Sequence, residues 1–237
     1  MFIYGRNSVS EALNDNIKIE SIYLDKSKKN KFIPIIKVAQ EKDIKIFFVF
    51  EREIEKLAQT QKHQGICANI LLPENIIENE ENFVLDENIE KILLLDGITD
   101  TGNLGAIIRS ALLLGCDLII LPNDNSARIT PQTIKASAGG IYKQKVLYVN
   151  NLNNWIINLK EEGFFIAGFA GESDKSFFDI KNFSKIACVI GSEYKGMRKS
   201  TRKLCDEIVK IPTTGKLDSL NASVASAIVM WEIFMKK

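Results

Sequence analysis

The chain has 237 residues, of which 46% are hydrophobic and 26% are charged, and its formal net charge is +1. This profile is typical of a soluble globular protein with one large domain or two smaller ones. No apolar run approaches the roughly 18 residues that a membrane span needs, and the opening MFIYGRNSVSEAL reaches polar residues too soon for a signal peptide. We therefore expect a cytoplasmic protein without a membrane partner.

The cysteines and the single histidine argue against metal and hydrolase chemistry. Cys67, Cys116, Cys188 and Cys205 lie far apart in the sequence, form no C-x-x-C pair, and are interpreted as small hydrophobic residues. A zinc site needs clustered ligands, and His63 is isolated, so we expect no metal. The same isolated histidine argues against a Ser-His-Asp hydrolase.

The first 72 residues alternate between helical and strand patterns. Ser8 and Glu11 have the spacing of a capping box that opens a short helix ending near Asn14. Further helices are predicted at 32–42 and 51–59, and strands at 19–24, 44–50 and 65–72. The continuous apolar run IKIFFVF at 44–50 indicates a fully buried strand. The pattern predicts a small α/β domain of about three helices and three strands.

Residues 73–90, PENIIENEENFVLDENIE, form the clearest shift in composition and are interpreted as a linker between two domains. Residues 76–91 have a net charge of −5, whereas residues 1–75 have +2 and the remainder has +4. The two flanking regions are thus mildly basic, which permits a polyanionic partner without requiring one.

The second domain, residues 91–237, continues the alternation with more apolar strands. Such a pattern predicts an α/β fold with a mostly parallel sheet covered on both faces, and ligands in such sheets bind at the carboxyl ends of the strands. The predicted strands are 91–96, 117–122, 143–149, 163–170, 185–191 and 207–212, and the predicted helices are 103–114, 131–138, 152–162, 196–204 and 222–236.

Three polar loops follow strand ends. In the first, Arg109 stands in a helix that is apolar nearly all round, so we expect this helix to be buried. A buried arginine needs a partner. One interpretation is a structural ion pair with Asp96 or Asp100, and the other is a guanidinium directed at a phosphate or a reacting oxygen.

The second loop follows the strand that ends at Gly191, a residue that lets a ligand approach the backbone. Glu193 in the turn, with the basic residues after it, fits either an ordinary helix start with a solvated face or a cationic surface beside a ligand loop. In the third loop, Ser219, Asn221 and Ser223 are all good N-cap residues for a nearly wholly apolar helix, which we expect to be buried.

Together and in this order, the loops resemble the SpoU/TrmH family of RNA ribose 2′-O-methyltransferases, within the SPOUT class. The resemblance is carried by N-x-G-x-x-x-R at 103–109, KASAGG at 135–140, G-S-E-x-x-G at 191–196, and I-P-x-x-G with S-L-N-x-S-V-A at 211–225. In the first domain, YGRNSVSEAL and HQGICANILL look like the accessory RNA-binding domain of the branch that methylates a guanosine of 23S ribosomal RNA.

The resemblance implies a trefoil knot near the C-terminus, S-adenosylmethionine as the methyl donor, and a homodimer with the catalytic loops close to its interface. It also implies roles for individual residues. The implied catalytic residues are Arg109, Asn103, Glu193, Ser219 and Asn221, with Arg109 as an electrostatic or phosphate-positioning group and Glu193 as its partner or that of another cation. The implied cofactor contacts are Gly191, Ile211, Leu220 and Ala170, and the implied RNA contacts are Lys195, Arg198 and Lys199.

Two alternatives remain at this point. One is the same chemistry on tRNA, and the other is an RNA-binding or ribosome-assembly factor that keeps the fold without catalysis. Binding of S-adenosylmethionine separates the second alternative from an enzyme.

Overall fold

A computed structural model describes residues 1–15, 17–193 and 195–235, and for residue 82 its backbone alone. The elements form two sheets, a four-stranded sheet near the amino end and a seven-stranded sheet in the rest of the chain. Within the described part of the chain, no helix is long and apolar enough to cross a bilayer. The predicted α/β class is therefore confirmed.

The small sheet contains one strand more than the sequence predicts. Its order is β1 (Phe2–Tyr4), β4 (Ile66–Ile70), β2 (Ile19–Asp25) and β3 (Lys45–Val49), and β2 runs parallel to β3 and antiparallel to β4. Three helices connect these strands, α1 (Arg6–Asn14), α2 (Ile33–Glu41) and α3 (Glu51–Ala58). Helix α1 begins after Gly5 without a side-chain cap, so the predicted Ser8–Glu11 capping box is wrong, although the predicted end at Asn14 is confirmed.

Strand β3 is not buried, which corrects the interpretation of its apolar run. It lies at the edge of the small sheet, where a strand has only one neighbour. Phe47 and Phe48 are 45% and 42% exposed. A continuous apolar run indicates burial on both faces only when the strand lies inside its sheet, and nothing in the run shows that this strand lies at an edge.

The large sheet has the order β11-β9-β10-β6-β7-β8-β5, and its strand pairs are parallel. The strands are β5 (Ile76–Ile77), β6 (Lys91–Asp96), β7 (Leu118–Pro122), β8 (Lys145–Val149), β9 (Phe165–Phe169), β10 (Ile186–Gly191) and β11 (Glu207–Val209). The helices are α4 (Thr101–Leu113), α5 (Pro131–Ser137), α6 (Leu152–Glu161), α7 (Lys199–Leu204) and α8 (Ala222–Phe234). The predicted elements agree with these bounds to within three residues, but β5 lies in the segment interpreted as a linker. Residue 236 of the last predicted helix lies outside the described residues.

The segment 73–90 is packed against the large sheet. Its strand β5 pairs with β8, and Ile76 and Ile89 are buried. The side chain of Glu80 accepts hydrogen bonds from the indole N–H of Trp155 at 2.5 Å and from the backbone N–H of Asn150 at 3.1 Å. Although its composition is that of a linker, this segment contributes the edge of the large sheet.

Helices cover both faces of the large sheet, but two of them are not buried as expected. Helices α4, α5 and α8 pack on one face, and α6 and α7 pack on the other. Leu113 of α4 is 70% exposed, and Trp231 of α8 is 63% exposed. Each of these helices buries one face and presents a second apolar face to solvent, which the all-round apolar pattern cannot distinguish from burial.

Candidate active site

The three polar loops meet where the strand order of the large sheet reverses direction. Strands β10 and β6 are neighbours, and Gly191 at the end of β10 is the register partner of Asp96 at the end of β6. The chain continues from β6 to strands on one side of this pair, while β9 and β11 lie on the other side. Crevices at such positions are where ligands bind in open parallel sheets.

The first loop leads into α4 and presents Asn103 to the site. The carboxylate of Asp100 caps this helix by accepting a hydrogen bond from the Asn103 backbone N–H at 2.6 Å. Arg109 lies six residues further along, about 9 Å at the rise of an α-helix, and its side chain is exposed. Within the described residues, no ion pair joins Arg109 to Asp96 or to Asp100, which argues against the first of its two interpretations.

Asp96 is paired with a different arginine. Its buried carboxylate accepts hydrogen bonds from Arg198 Nε at 2.6 Å and from the Arg198 backbone N–H at 2.9 Å. This contact fixes the second loop to the end of β6. Arg198 therefore has a structural partner, whereas Lys195 and Lys199 are exposed on the same loop and at the start of α7.

The glycines of the second loop are required by the loop itself. A Cβ on Gly191 would lie 2.3 Å from the backbone carbon of Gly196 and from the backbone nitrogen of Met197. Ser192 and Gly196 close the turn with two backbone hydrogen bonds of 3.1 and 2.9 Å. What approaches Gly191 closely is therefore this chain's own backbone, whereas the sequence pattern predicts the approach of a ligand.

Glu193 connects all three loops. Its Oε1 accepts hydrogen bonds from Asn103 Nδ2 at 2.8 Å, from Asn221 Nδ2 at 2.7 Å, and from the Ala222 backbone N–H at 3.0 Å. Asn221 Nδ2 also donates to Asn103 Oδ1 at 3.0 Å. Among the described residues of the single chain Glu193 has no cationic partner, so its predicted pairing with Arg109 or another cation stays a prediction.

The polar residues of the third loop have different roles. Asn221 is the N-cap of α8, and its Oδ1 accepts hydrogen bonds from the backbone N–H groups of Ser223 and Val224 and from the Ser223 hydroxyl. Asn221 thus both caps the helix and binds Glu193. Ser219 does neither of these, and its side chain is exposed beside the cavity described next.

A cavity of about 850 Å³ lies between the second and third loops and the loop that follows β9. Its wall is partly apolar and contains four glycines, so much of the lining is backbone. Every residue predicted to contact a cofactor lines it, as do Glu193, Lys195 and Ser219. The four predicted cofactor contacts are Ala170, Gly191, Ile211 and Leu220.

Three charged groups at this cavity are not predicted by the sequence motifs. Glu172 and Arg202 line it and form an ion pair with each other, and Lys210 lines it as well. Glu172 lies in the loop after β9, whose carboxyl end faces the same edge of the sheet as those of β6 and β10. The rule that ligands bind at carboxyl ends could have identified this loop, because the strand had been predicted.

The cysteines are not suited to react as thiolates. Cys67, Cys116 and Cys188 are buried, and Cys205 is half-buried. Burial raises the pKa of Cys67 to about 12, and it is also the largest cause that raises the pKa of Cys116 and of Cys205 to about 12. A thiol with so high a pKa is a poor nucleophile near neutral pH.

Comparison with known proteins gives matches over nearly the whole chain. Residues 90–231 match the model of the SpoU rRNA Methylase family, and residues 2–75 match a model described as RNA 2'-O ribose methyltransferase substrate binding. The 23S rRNA (guanosine-2'-O-)-methyltransferase RlmB of Vibrio vulnificus is 34% identical over 234 residues, which cover 98% of this chain and 95% of that protein.

Solved structures share the fold at lower identity. The SpoU methyltransferase AviRb from Streptomyces viridochromogenes, in complex with the cofactor AdoMet, aligns with a TM-score of 0.79 and 21% identity over 98% of this chain and 88% of its own. A TrmH/SpoU tRNA modifying enzyme of A. aeolicus aligns with a TM-score of 0.54 and 23% identity over 61% of this chain and 74% of its own.

Proposed function

The chain belongs to the SpoU rRNA methylase family and is an S-adenosylmethionine-dependent RNA 2′-O-methyltransferase, and we propose that its substrate is a guanosine of 23S ribosomal RNA. The observation that carries this proposal is the 34% identity, over 98% of this chain and 95% of the relative, to a protein named for that reaction. The match of residues 2–75 to a substrate-binding model supports it.

The substrate proposal is tested by mapping 2′-O-methyl groups on total RNA from a strain that lacks the gene. We expect one guanosine of 23S ribosomal RNA to lose its methyl group and to regain it when the gene is restored. Loss of a methyl group from tRNA alone would contradict the proposal and favour the tRNA alternative. An unchanged methylation map, with no binding of S-adenosylmethionine by calorimetry, would favour the non-catalytic assembly factor.

The cavity fits S-adenosylmethionine in size and in lining. Its volume of about 850 Å³ lies within the range of ligand sites, and its wall combines apolar side chains with glycine-rich backbone. We propose that Ala170, Gly191, Ile211 and Leu220 hold this molecule, which supplies an electrophilic methyl group when bound. Because these residues line the wall on three different loops, binding requires that the three loops fold together.

The residues of this chain then have to orient a ribose 2′-hydroxyl and stabilise the negative charge that develops on its oxygen. We propose that the Asn103–Glu193–Asn221 network holds the three loops in one geometry and that Ser219 contacts the ribose. Arg109 is the cationic group for the developing charge or for an adjacent phosphate, because a guanidinium stays protonated. Lys195 and Lys199 lie where they could bind RNA phosphates, and Arg198 could do so while it remains paired with Asp96.

Arg109 does not line the cavity of its own chain among the described residues. It is exposed on α4, near Leu112 and Leu113, which are exposed as well. Helix α8 packs beside α4 and exposes Trp231, and Met235 directly after the helix is exposed as well. We propose that this apolar surface is the contact of a homodimer and that Arg109 acts at the partner's cavity.

Mixing two inactive variants tests the homodimer and the place of Arg109 together. We expect Arg109→Ala to reduce methyl transfer by about 10²–10³-fold while retaining cofactor binding, because a lost electrostatic contact to the transition state costs that much. Glu193→Ala should also lose methyl transfer, because it removes the hydrogen bonds that hold the three loops together. If Arg109 serves the partner's cavity, co-expressed heterodimers regain one intact site and part of the activity.

The control is Arg128→Ala, which removes an exposed arginine that stacks on Tyr148 with its guanidinium 4.7 Å from the ring centroid. This variant should stay close to wild-type activity. Heterodimers without recovered activity would show that Arg109 acts within its own chain. Sedimentation of the wild-type protein as a monomer would contradict the dimer itself.

The proposal also includes a knot, the domain boundaries and the location of the protein. We propose that the segment from β10 to α8 forms a trefoil knot, as the family resemblance implies. The accessory RNA-binding domain comprises residues 1–72, residues 73–90 join it to the catalytic domain, and residues 91–237 form that domain. Because the proposed substrate is ribosomal RNA, the protein is expected in the cytoplasm.

A further inference from the structure

Two lysine–phenylalanine pairs lie side by side on the small domain, at the exposed edge formed by β3. The Nζ atom of Lys26 lies 3.2 Å from the ring centroid of Phe50, and that of Lys29 lies 4.8 Å from the ring centroid of Phe48. Phe50 is 61% exposed, and both lysines are exposed. These four residues are called the lysine–phenylalanine edge.

The segment that contains this edge is rich in lysine. Residues 26–50 contain seven lysines and two acidic residues, a net charge of +5 in a chain whose net charge is +1. Lys28 is neutralised by Asp25 at 3.1 Å and Glu51 at 2.7 Å. Lys26 and Lys29 have no such ion pair in the described parts of the chain, so their charge remains available to a ligand.

Burial within this chain does not explain the exposed rings. A single exposed apolar side chain is ordinary, but Phe48 and Phe50 lie two positions apart and both have a lysine above the ring face, whereas the ring of Phe47 stacks on Tyr23 with 5.1 Å between centroids. Such a cation–ring contact is worth little at an exposed site, so it does not compensate for leaving the rings in water. The combination of accessible rings and unpaired lysines is the one that single-stranded nucleic acids recognise.

We propose that the lysine–phenylalanine edge binds an unpaired stretch of the RNA substrate. Bases stack on the rings of Phe48 and Phe50, and the flexible stems of Lys26 and Lys29 let their ammonium groups move to neighbouring phosphates. Stacking is tolerant of sequence, so this surface positions the RNA and the catalytic domain selects the ribose. The inference rests on the proposed function, since it assigns part of the substrate contact to a surface of the small domain, outside the methyl-transfer loops.

The test measures binding of the full chain to a labelled single-stranded oligouridine of about 12 nucleotides, a length within the range that one stacking platform covers. The comparison probe is an RNA duplex of the same length. We expect Phe48→Ala and Phe50→Ala each to weaken binding of the oligouridine by about tenfold, the loss of one stacked base, with little change for the duplex. Lys29→Ala should reduce the salt dependence of oligouridine binding by about 0.7 in the logarithmic slope.

The matched control is Phe178→Ala, which removes an equally exposed ring, 61%, from the large domain. Its oligouridine affinity should equal that of the wild type. Phe50→Tyr keeps a stacking ring and should retain binding, which separates stacking from folding, and melting temperatures of all variants check the fold.

Oligouridine affinity unchanged in both ring variants would overturn the inference. So would an equal loss for single strand and duplex, which would show general electrostatic attraction. A changed sedimentation coefficient with unchanged RNA affinity would also overturn it and identify a contact between copies of the chain. Methyl transfer to 23S ribosomal RNA by the wild type is measured separately, so failure of the proposed function is recognised independently of this surface.

Discussion

Glu193 shows why a single carboxylate can define a site. One oxygen accepts three N–H donors from segments that are 90, 29 and 28 residues away in the sequence. Charged acceptors form stronger hydrogen bonds than neutral ones. The carboxylate therefore works mainly by fixing Asn103 and Asn221 relative to each other.

We expect Glu193→Ala to destabilise the fold by about 1–3 kcal/mol, because it removes the acceptor of three donors. Glu193→Gln keeps an acceptor oxygen and should retain more stability and more activity. Thermal unfolding and methyl transfer are the measurements, with Glu161→Ala on the exposed side of α6 as a control. Equal losses in the alanine and glutamine variants would indicate that the negative charge itself, rather than the hydrogen-bond geometry, is required.

The sequence identified Asn103, Glu193 and Asn221 as members of one site, but not their mutual contacts. The predicted strand ends bring the three loops to one edge of the sheet, so their convergence follows from βα alternation. Which donor meets which acceptor depends on the loop conformations and on how α8 packs on α4. These are long-range properties that a local pattern does not contain.

At the level of elements, the contact between α4 and α5 depends on one glycine. A Cβ on Gly105 would lie 2.5 Å from the Ala136 Cβ and 2.6 Å from the Thr133 carbonyl oxygen. The glycine of the N-x-G-x-x-x-R pattern thus allows two helices to pack closely. This packing fixes the helix that carries Asn103 and Arg109.

We expect Gly105→Ala to lower the melting temperature by several degrees. Alanine gains about 1 kcal/mol of helix propensity, but overpacking of a closed contact costs about 1–3 kcal/mol and requires the two helices to separate. Gly171→Ala is the control for stability, because its Cβ would meet nothing within 4 Å. A melting temperature that is equal or higher in Gly105→Ala would show that α5 can move without cost.

The elements themselves follow from the sequence more reliably than their burial does. The strands of the large sheet agree with their apolar runs, yet similar runs in β3 and α8 leave Phe48 and Trp231 exposed. An apolar run in the sequence indicates that its surface is favourably removed from water. It does not report whether the covering group belongs to the same chain, a second copy or a ligand.

At the level of the whole molecule, the small domain packs directly on the catalytic domain. The Tyr142 hydroxyl donates to the Ser8 carbonyl oxygen at 3.4 Å, and Lys143 pairs with Asp15 at 2.8 Å. Glu11 lies in the same contact. Burial and the negative charge of Asp15 raise the pKa of Glu11 above its ordinary value of 4.5, although Arg109 and Lys143 oppose this shift.

This shift predicts a pH dependence of stability. Below pH 4.5, Glu11 is protonated in both the folded and the unfolded chain, and no stability is lost through it. As the pH rises from 4.5 through the higher folded pKa, the unfolded chain releases the proton first, so the contribution of Glu11 becomes increasingly unfavourable and then stays constant at higher pH.

We therefore expect Glu11→Gln to raise the melting temperature near pH 7, and this gain to disappear below pH 4.5. Thermal unfolding across this pH range is the measurement, and Glu87→Gln, on an exposed part of the 73–90 segment, is the control. A gain that persists below pH 4.5 would attribute the effect to packing instead of charge.

The three hydrogen bonds of Glu193 also bear on when, during its synthesis, the chain can become catalytically active. Ribosomes synthesise Asn103 first, then Glu193, and Asn221 only near the end of the described chain. Until Asn221 arrives, Glu193 lacks two of its three donors, those of Asn221 and Ala222. A growing chain can therefore form β6 to β10 of the large sheet before the contacts of Glu193 are complete, and enzymatic competence has to wait for the start of α8.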